Sequence, residues 1–217
     1  MRLLPFISGQ YYHVYNRGVD KRTVFLRYGH YRRCTATIDT ILKTGSATQR
    51  PHYNQTRQLA GLKSKVCIVA YCLMPNHYHF LLKELSGDGI TEFMHKLDTS
   101  YTKYINLNLH RTGRLFENTF KAKHVENDAM FLHVARYIHL NPVIARLVPN
   151  LELWPWSSYL ETIGSRGPGL CTITDILHYF PKIHAMQAYK TFVADQQAYA
   201  QLLHDAEKIK DEDRLFL

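Results

Sequence analysis

Two short stretches carry side chains whose types and spacing could do chemistry. In His77-Tyr78-His79, one residue separates two imidazoles. On a strand, residues i and i+2 point to one face, so both imidazoles could bind a single cation while Tyr78 turns to the opposite side. The other reading is a pair of histidines satisfied in a core or at the surface. The spacing leaves both open. In Arg136-Tyr137-Ile138-His139-Leu140-Asn141-Pro142, Tyr137 and Asn141 are four apart and share one face of a helix. Asn141 offers an amide oxygen suited to a hard divalent cation. The alternative here is an aromatic core residue and an asparagine ending a helix, with Pro142 as the stop.

Taken together, the two stretches define a specific chemistry. Two imidazoles and one amide oxygen would leave coordination positions open for phosphate oxygens and water. A phenol, with an ordinary pKa of about 10, is a poor nucleophile until it is deprotonated or placed beside a cation. A cation at this place would polarise a phosphodiester and orient it for in-line attack by Tyr137. The product would be a phosphotyrosine linkage. Such a bond retains the energy of the broken phosphodiester, so rejoining would need no ATP.

The elements that must position these residues are readable from hydrophobic periodicity. Residues Gln10–Asn16 alternate as a strand, and Arg17-Gly18 ends it. A helix is expected from about Tyr28 to Thr44, with Ile38, Ile41 and Leu42 on one face, followed by a polar loop over Gly45–Gly61. Lys65–Leu73 reads as a strand, Met74-Pro75-Asn76 as a turn and His77–Glu84 as the returning strand of a hairpin. Phe93, Met94, Leu97, Tyr101, Tyr104 and Ile105 make a helical stripe between about Thr91 and Asn108. Arg114–Val125 looks extended. Asn127 or Asp128 caps a helix running to about Asn141, with Phe131, Val134, Ala135 and Ile138 as its core stripe. Gly164–Gly169 reads as a linker, and Thr172–Leu217 as helices ending in a charged tail. The clear hairpin favours an α+β domain with an antiparallel sheet covered by helices. The domain boundary is placed at 1–160 and 161–217, the second part being a helical extension of unassigned role.

Composition points the same way. The chain has 217 residues, 27 basic against 18 acidic, and a formal net charge of +9, which suggests a polyanionic partner, nucleic acid first. Asn16, Arg17, Lys21 and Arg22 form a basic turn after the first strand. Arg111, Arg114, Lys121 and Lys123 form a second basic stretch, and extended alternation puts Lys121 and Lys123 on one face for phosphate contact. Arg136 adds a cation beside Tyr137. His133 shares the face of Tyr137; His139 is turned away from it; His95, His110 and His124 show no partner pattern. Cys34, Cys67, Cys72 and Cys171 form no C-x-x-C pair and are expected to be reduced thiols buried in a cytoplasmic protein. No run of about 18 apolar residues is present, and the N-terminus lacks the long apolar stretch of a signal peptide, so neither a membrane span nor secretion is expected.

The run Ala70-Tyr71-Cys72-Leu73-Met74-Pro75-Asn76-His77-Tyr78-His79-Phe80-Leu81-Leu82 resembles the HUH segment of the IS200-like Y1 transposases, and most closely their REP-associated tyrosine transposase branch. Four further pieces fit in order: His13–Gly18, Gly113–Glu117, Arg136–Val143 and Trp156–Tyr159. They span about residues 11–160. Thr119 departs from the family pattern, which carries a basic residue there, and Ile144 and Arg146 stand where Arg and Gly are usual.

The resemblance implies a ferredoxin-like antiparallel sheet with helices on one face. It implies that His77 and His79 are metal ligands, that Asn141 holds the helix-borne third position, and that Tyr137 is the nucleophile joined to the 5′ side of the cut. The implied substrate is single-stranded DNA carrying palindromic hairpins, with Mg²⁺ or Mn²⁺ as metal and a monomer or homodimer as the acting form. Two rivals are a non-catalytic DNA-hairpin-binding regulator on the same fold and an unrelated metallohydrolase using the H-x-H pair. The hydrolase would need more ligands than the sequence offers.

Overall fold

The computed structural model describes residues 5–45 and 64–197. The strands are β1 (Tyr11–Arg17), β2 (Val66–Met74), β3 (His77–Glu84) and β4 (Lys121–Val125). The longer helices are α1 (Tyr28–Thr44), α2 (Gly89–Asn108) and α3 (Asp128–Ile144). Shorter ones follow: α4 (Tyr159–Thr162), α5 (Thr174–Leu177) and α6 (Ala185–Ala194). The sheet order is β2-β3-β1-β4 with every neighbouring pair antiparallel. Each of the connections β1-α1-β2 and β3-α2-β4 crosses one strand, which is the ferredoxin-like arrangement that the resemblance implied. Of the expected polar loop, only Gly45 is described. It ends α1 in the left-handed region, its N–H bonded to the Ile41 carbonyl. The rest of that loop and the charged tail lie outside the described residues.

The period of two in the strands divides the interior into two cores. Tyr12 and Val14 of β1, Tyr71 and Leu73 of β2, and Tyr78, Phe80 and Leu82 of β3 pack under α1 and α2. Ala70, Cys72, Met74 and Leu81 point the other way, into a core completed by Phe131, Val134, Ala135 and Ile138 of α3. The helices therefore cover both faces of the sheet, not one. α1 and α2 cover one face, while α3 covers the face that bears His77 and His79.

Several local features set the placement of these elements. A Cβ on Gly18 would lie 2.3 Å from the Arg22 carbonyl oxygen, so only glycine allows the tight exit from β1. That exit holds the hairpin turn: Gly18 N–H donates to Asn76 O, and Val24 and Phe25 N–H both donate to Pro75 O. Glu84 is fully buried at the end of β3. It accepts from the backbone N–H of Leu85, Ser86, Gly87, Gly89 and Ile90, which anchors the start of α2.

Three boundaries differ from the sequence reading. Arg114–Phe120 is irregular, and only Lys121–Val125 joins the sheet. The segment 164–169 is a tied turn and not a free linker. There Arg166 donates to the carbonyls of Pro155 and Ser157 and to Glu161 Oε1. Pro142 does not stop α3, which continues to Ile144. Pro142 removes one N–H from the last turn, but Ala145 N–H still reaches Asn141 O and Leu147 N–H reaches Pro142 O, so the turn closes around it.

α3 is held by a buried polar chain. His139, fully buried, has Nδ1 2.7 Å from Tyr189 Oη and Nε2 2.7 Å from Ser158 Oγ. Tyr71 N–H donates to Ser158 Oγ, which lies 3.3 Å from Tyr71 O. A neutral imidazole satisfies the whole chain: Tyr189 donates to His139, His139 to Ser158, and Ser158 to the Tyr71 carbonyl. Burial lowers the His139 pKa to about 3, which agrees with that neutral form. Ile176, Tyr189 and Val193, beyond residue 160, share the core of α3. Replacing His139 with Leu would leave the Tyr189 hydroxyl and Ser158 Oγ short of a partner in an apolar core. The expected loss is about 2–4 kcal/mol of unfolding free energy, read from urea denaturation at neutral pH, with Tyr189→Phe costing about 1 kcal/mol. A His139→Leu protein as stable as the parent would contradict this account of how α3 is fixed.

Candidate active site

The antiparallel register builds the site from β3, β1 and α3. His77 lies opposite Arg17 and His79 opposite Tyr15, so both imidazoles and both partners share one face. His13 lies opposite Leu81, one diagonal step from His79 on that face. Lys121 and Lys123 of β4 stand opposite Tyr15 and His13, and so extend the same face, as their alternation predicted. Tyr78, between the two histidines, goes the other way and binds Asp98 through its hydroxyl at 2.7 Å. Desolvation pushes the Asp98 carboxyl up to about 7.

α3 closes over this face. The ring centroids of Tyr137 and His79 are 5.5 Å apart at 79°, and Tyr137 lies 6.0 Å from His13. Tyr137 is 39% exposed while the turn that follows it is buried, and it lines the cavity, so its ring sits at the mouth of the site. Asn141 is buried; its Nδ2 donates to the Tyr137 carbonyl at 2.8 Å, and its side chain lies close enough to His77 to act on that imidazole's proton affinity. A cavity of about 280 Å³ is lined by Tyr15, Arg17, His77, His79, Glu117, Lys121 and Tyr137.

The electrostatics favour neutral imidazoles. Burial is the main cause in each case: it lowers His77 to about 4, with Arg17 adding to the effect, and drives His79 well below the usual histidine range. His13 is also lowered to about 4 by burial and by Lys123. Each of the paired imidazoles has one nitrogen engaged, His77 Nδ1 by Asn76 Oδ1 at 2.6 Å and His79 Nδ1 by His13 Nε2 at 3.0 Å. The Nε2 atoms, with the amide oxygen of Asn141, could offer two nitrogens and one oxygen, a set that would suit a divalent ion of intermediate hardness such as Mn²⁺. Among the described residues no group of three His, Cys, Asp or Glu side chains could hold a metal, so a three-ligand set here would have to include the amide.

The other anticipated residues divide. Arg17 lines the cavity and pairs with Glu117 at 3.0 Å. Lys21 and Arg22 lie further along the exposed turn, where Arg22 bonds to Asp20 and to the Val19 carbonyl. Arg114 lines a neighbouring groove of about 690 Å³ between α2 and the segment before β4. Asn16 is among the residues lining the cavity, but its side chain is engaged within the protein. It is buried on the opposite face, donating to Asp98 and to the Asn118 carbonyl and accepting from Arg17 N–H. Arg136 is turned away as well. One step round the helix from Tyr137, its guanidinium sits over the Phe192 ring at 4.3 Å.

His133 is exposed, as are His95, His110 and His124, while Tyr101 is a core residue whose hydroxyl donates to Val24 O. All four cysteines are free, Cys34 and Cys72 fully buried and the others partly so. Sequence reasoning missed His13, Tyr15, Asn76 and Glu117 as parts of the site. The alternation of β1 marks His13 and Tyr15 as facing one way, but which strand they meet depends on pairing, which no local pattern encodes.

No helix among the described residues is long and apolar enough to cross a membrane. A search of curated proteins finds no match. Among solved structures, the REP-associated tyrosine transposase bound to a REP hairpin superposes with a TM-score of 0.57 at 18% identity, over 77% of this chain and 87% of that one. A candidate transposase from Deinococcus radiodurans R1 matches at a TM-score of 0.38 and 14% identity, over 64% of this chain and 95% of that one. The first likeness establishes the shared fold. The family model described as "Transposase IS200 like" matches residues 8–141, a span that includes the imidazole pair, Tyr137 and Asn141 and covers more than half of the sequence: the chain belongs to the IS200-like transposase family.

Proposed function

We propose that this transposase cuts and rejoins single-stranded DNA at or near hairpins through a covalent bond between Tyr137 and the 5′ phosphate of the cut strand. The observation that carries this reading is the meeting of Tyr137 with the imidazole pair, its ring 5.5 Å from that of His79. In the reaction, the bond from Tyr137 Oη to phosphorus forms as the bond from phosphorus to the 3′ oxygen breaks. The phenol proton is lost, the departing oxygen gains one, and a free 3′-OH results. Attack by a 3′-OH on the phosphotyrosine reverses these steps and restores the phenol.

His77, His79 and Asn141 would hold Mg²⁺ or Mn²⁺, which when bound would supply positive charge against the scissile phosphate. The chain's own residues do the rest. Burial keeps both imidazoles unprotonated, with lone pairs to offer. Asn141 lies between the two halves: its Nδ2 donates to the Tyr137 carbonyl, and its side chain sits beside His77 with Oδ1 left to offer to a cation. Arg17, Lys121 and Lys123 place positive charge around the cavity, where phosphates on either side of the cut would lie. The solved relative with this fold was captured with a REP hairpin, which supports a hairpin as the DNA partner here. The segment beyond 160 braces α3 through Tyr189 and Phe192.

Incubation with labelled hairpin DNA and Mn²⁺, followed by denaturing electrophoresis, should give a protein–DNA adduct. Tyr137→Phe should abolish the adduct while leaving hairpin binding within about threefold, because only a hydroxyl is removed from a partly exposed ring. His79→Ala should lose at least about 100-fold in adduct formation. An adduct formed by the Tyr137→Phe protein would refute the assignment, and hairpin binding with no adduct from the parent protein would favour the regulator. Lys121→Ala and Lys123→Ala should each lower the slope of log affinity against log salt by about one. Slopes equal to the parent's would place the phosphates elsewhere.

A further inference from the structure

The second imidazole of the pair is not positioned by its own strand alone. His79 Nδ1 lies 3.0 Å from His13 Nε2, and the two rings are stacked 5.1 Å apart at 25°. Both rings are packed against neighbours. His79 is 6% exposed, and His13 also packs 5.1 Å from the Tyr15 ring. A short hydrogen bond between two imidazoles requires one nitrogen to donate and the other to accept. If His13 donates, the remaining proton of neutral His79 must sit on Nε2, and that nitrogen cannot bind a cation. If His79 donates, Nε2 carries a lone pair. Its own strand fixes His77 differently: Asn76 Oδ1 accepts from Nδ1 at 2.6 Å, and Asn76 is itself held by donation from its Nδ2 to the Lys21 carbonyl.

We propose that His13 is the positioning residue for the metal-binding imidazole of His79: its Nε2 accepts the Nδ1 proton of His79 and so presents His79 Nε2 to a divalent cation. This rests on the reading of His77 and His79 as ligands. A ligand imidazole with its second nitrogen bonded to an acceptor is held in one tautomer and one ring plane, and losing the partner weakens metal binding by about 10–100-fold. The acceptor here is an uncharged ring and not a carboxylate, so it orients His79 without adding negative charge beside the ion. The geometry also shows why His13 is not a third ligand. Its Nε2 is directed at His79 Nδ1, the far side of that ring from the ligand nitrogen. β1 thus serves both imidazoles, His79 through the side chain of His13 and His77 through the turn after the strand that holds Asn76.

The test is Mn²⁺ binding to the full chain, with bound and free ion separated by electron paramagnetic resonance, for the parent, His13→Phe, His13→Gln and His79→Ala, with circular dichroism as the fold control. His13→Phe should weaken Mn²⁺ binding by about 10–100-fold. His13→Gln, which keeps an acceptor oxygen, should recover most of it, and His79→Ala should abolish it. If His13→Phe binds Mn²⁺ as the parent does while His79→Ala does not, the positioning role is refuted and the ligand assignment stands. If His79→Ala binds as the parent does, the ligand reading fails and this inference fails with it.

A second measurement needs no variant, so it decides the matter even if His13→Phe does not fold. Long-range ¹⁵N–¹H NMR of the metal-free protein should show His79 protonated on Nδ1 and bare on Nε2. The opposite tautomer would overturn the proposal.

Discussion

The period of two along β3 is the constraint on which the rest of the molecule depends. His77, His79 and Leu81 face α3, while Tyr78, Phe80 and Leu82 anchor the same strand in the opposite core. A slip of one residue in the pairing with β1 would reverse both sets, burying the imidazoles among apolar side chains and exposing Tyr78. Register is therefore defended from both faces at once. Tyr78 is tied to Asp98, Phe80 and Leu82 fill the core under α1 and α2, and Glu84 closes the strand by gathering the backbone donors at the start of α2. The imidazoles are held rigidly because the residues between and beyond them carry the packing.

Helices on both faces of the sheet have a chemical consequence. Had α3 shared the face of α1 and α2, Tyr137 could not meet the imidazole pair. Placed where it is, α3 turns a strand face into a cleft, with buried apolar side chains on one flank and the cations of β4 on the other. A buried link fixes its position, His139 to Ser158 and Tyr189 behind the site, and Asn141 lies against His77 near the mouth. The residues after 160 therefore influence a site they do not touch. Arg136, one position before the phenol, is engaged with Phe192 of α6.

Much of this is legible in the sequence because it is written in local patterns. The bounds of α1 and β3 coincide with the expected ones, and the core stripe of α3 is the expected set Phe131, Val134, Ala135 and Ile138. The side-by-side facing of Lys121 and Lys123 likewise follows from alternation. What is hidden depends on long-range pairing. His13 reaches His79 only because β1 lies next to β3, and Asn16 turns inward because Asp98 of α2 lies beneath it. Pro142 misleads because the bond it removes is compensated by the next turn. Arg136 misleads because adjacency in sequence is not adjacency on a helix, where one step rotates a side chain by about 100°.

The central claim is the spatial part of the proposal: the phenol of Tyr137 would stand beside a divalent cation held by His77 Nε2, His79 Nε2 and Asn141 Oδ1. Crystals grown with Mn²⁺ and measured at the manganese absorption edge test it directly, since anomalous scattering locates the ion without reference to any assigned role. The account predicts one strong peak bonded to both Nε2 atoms, on the side facing Tyr137. A peak elsewhere, or none between the imidazoles at saturating Mn²⁺, would contradict it.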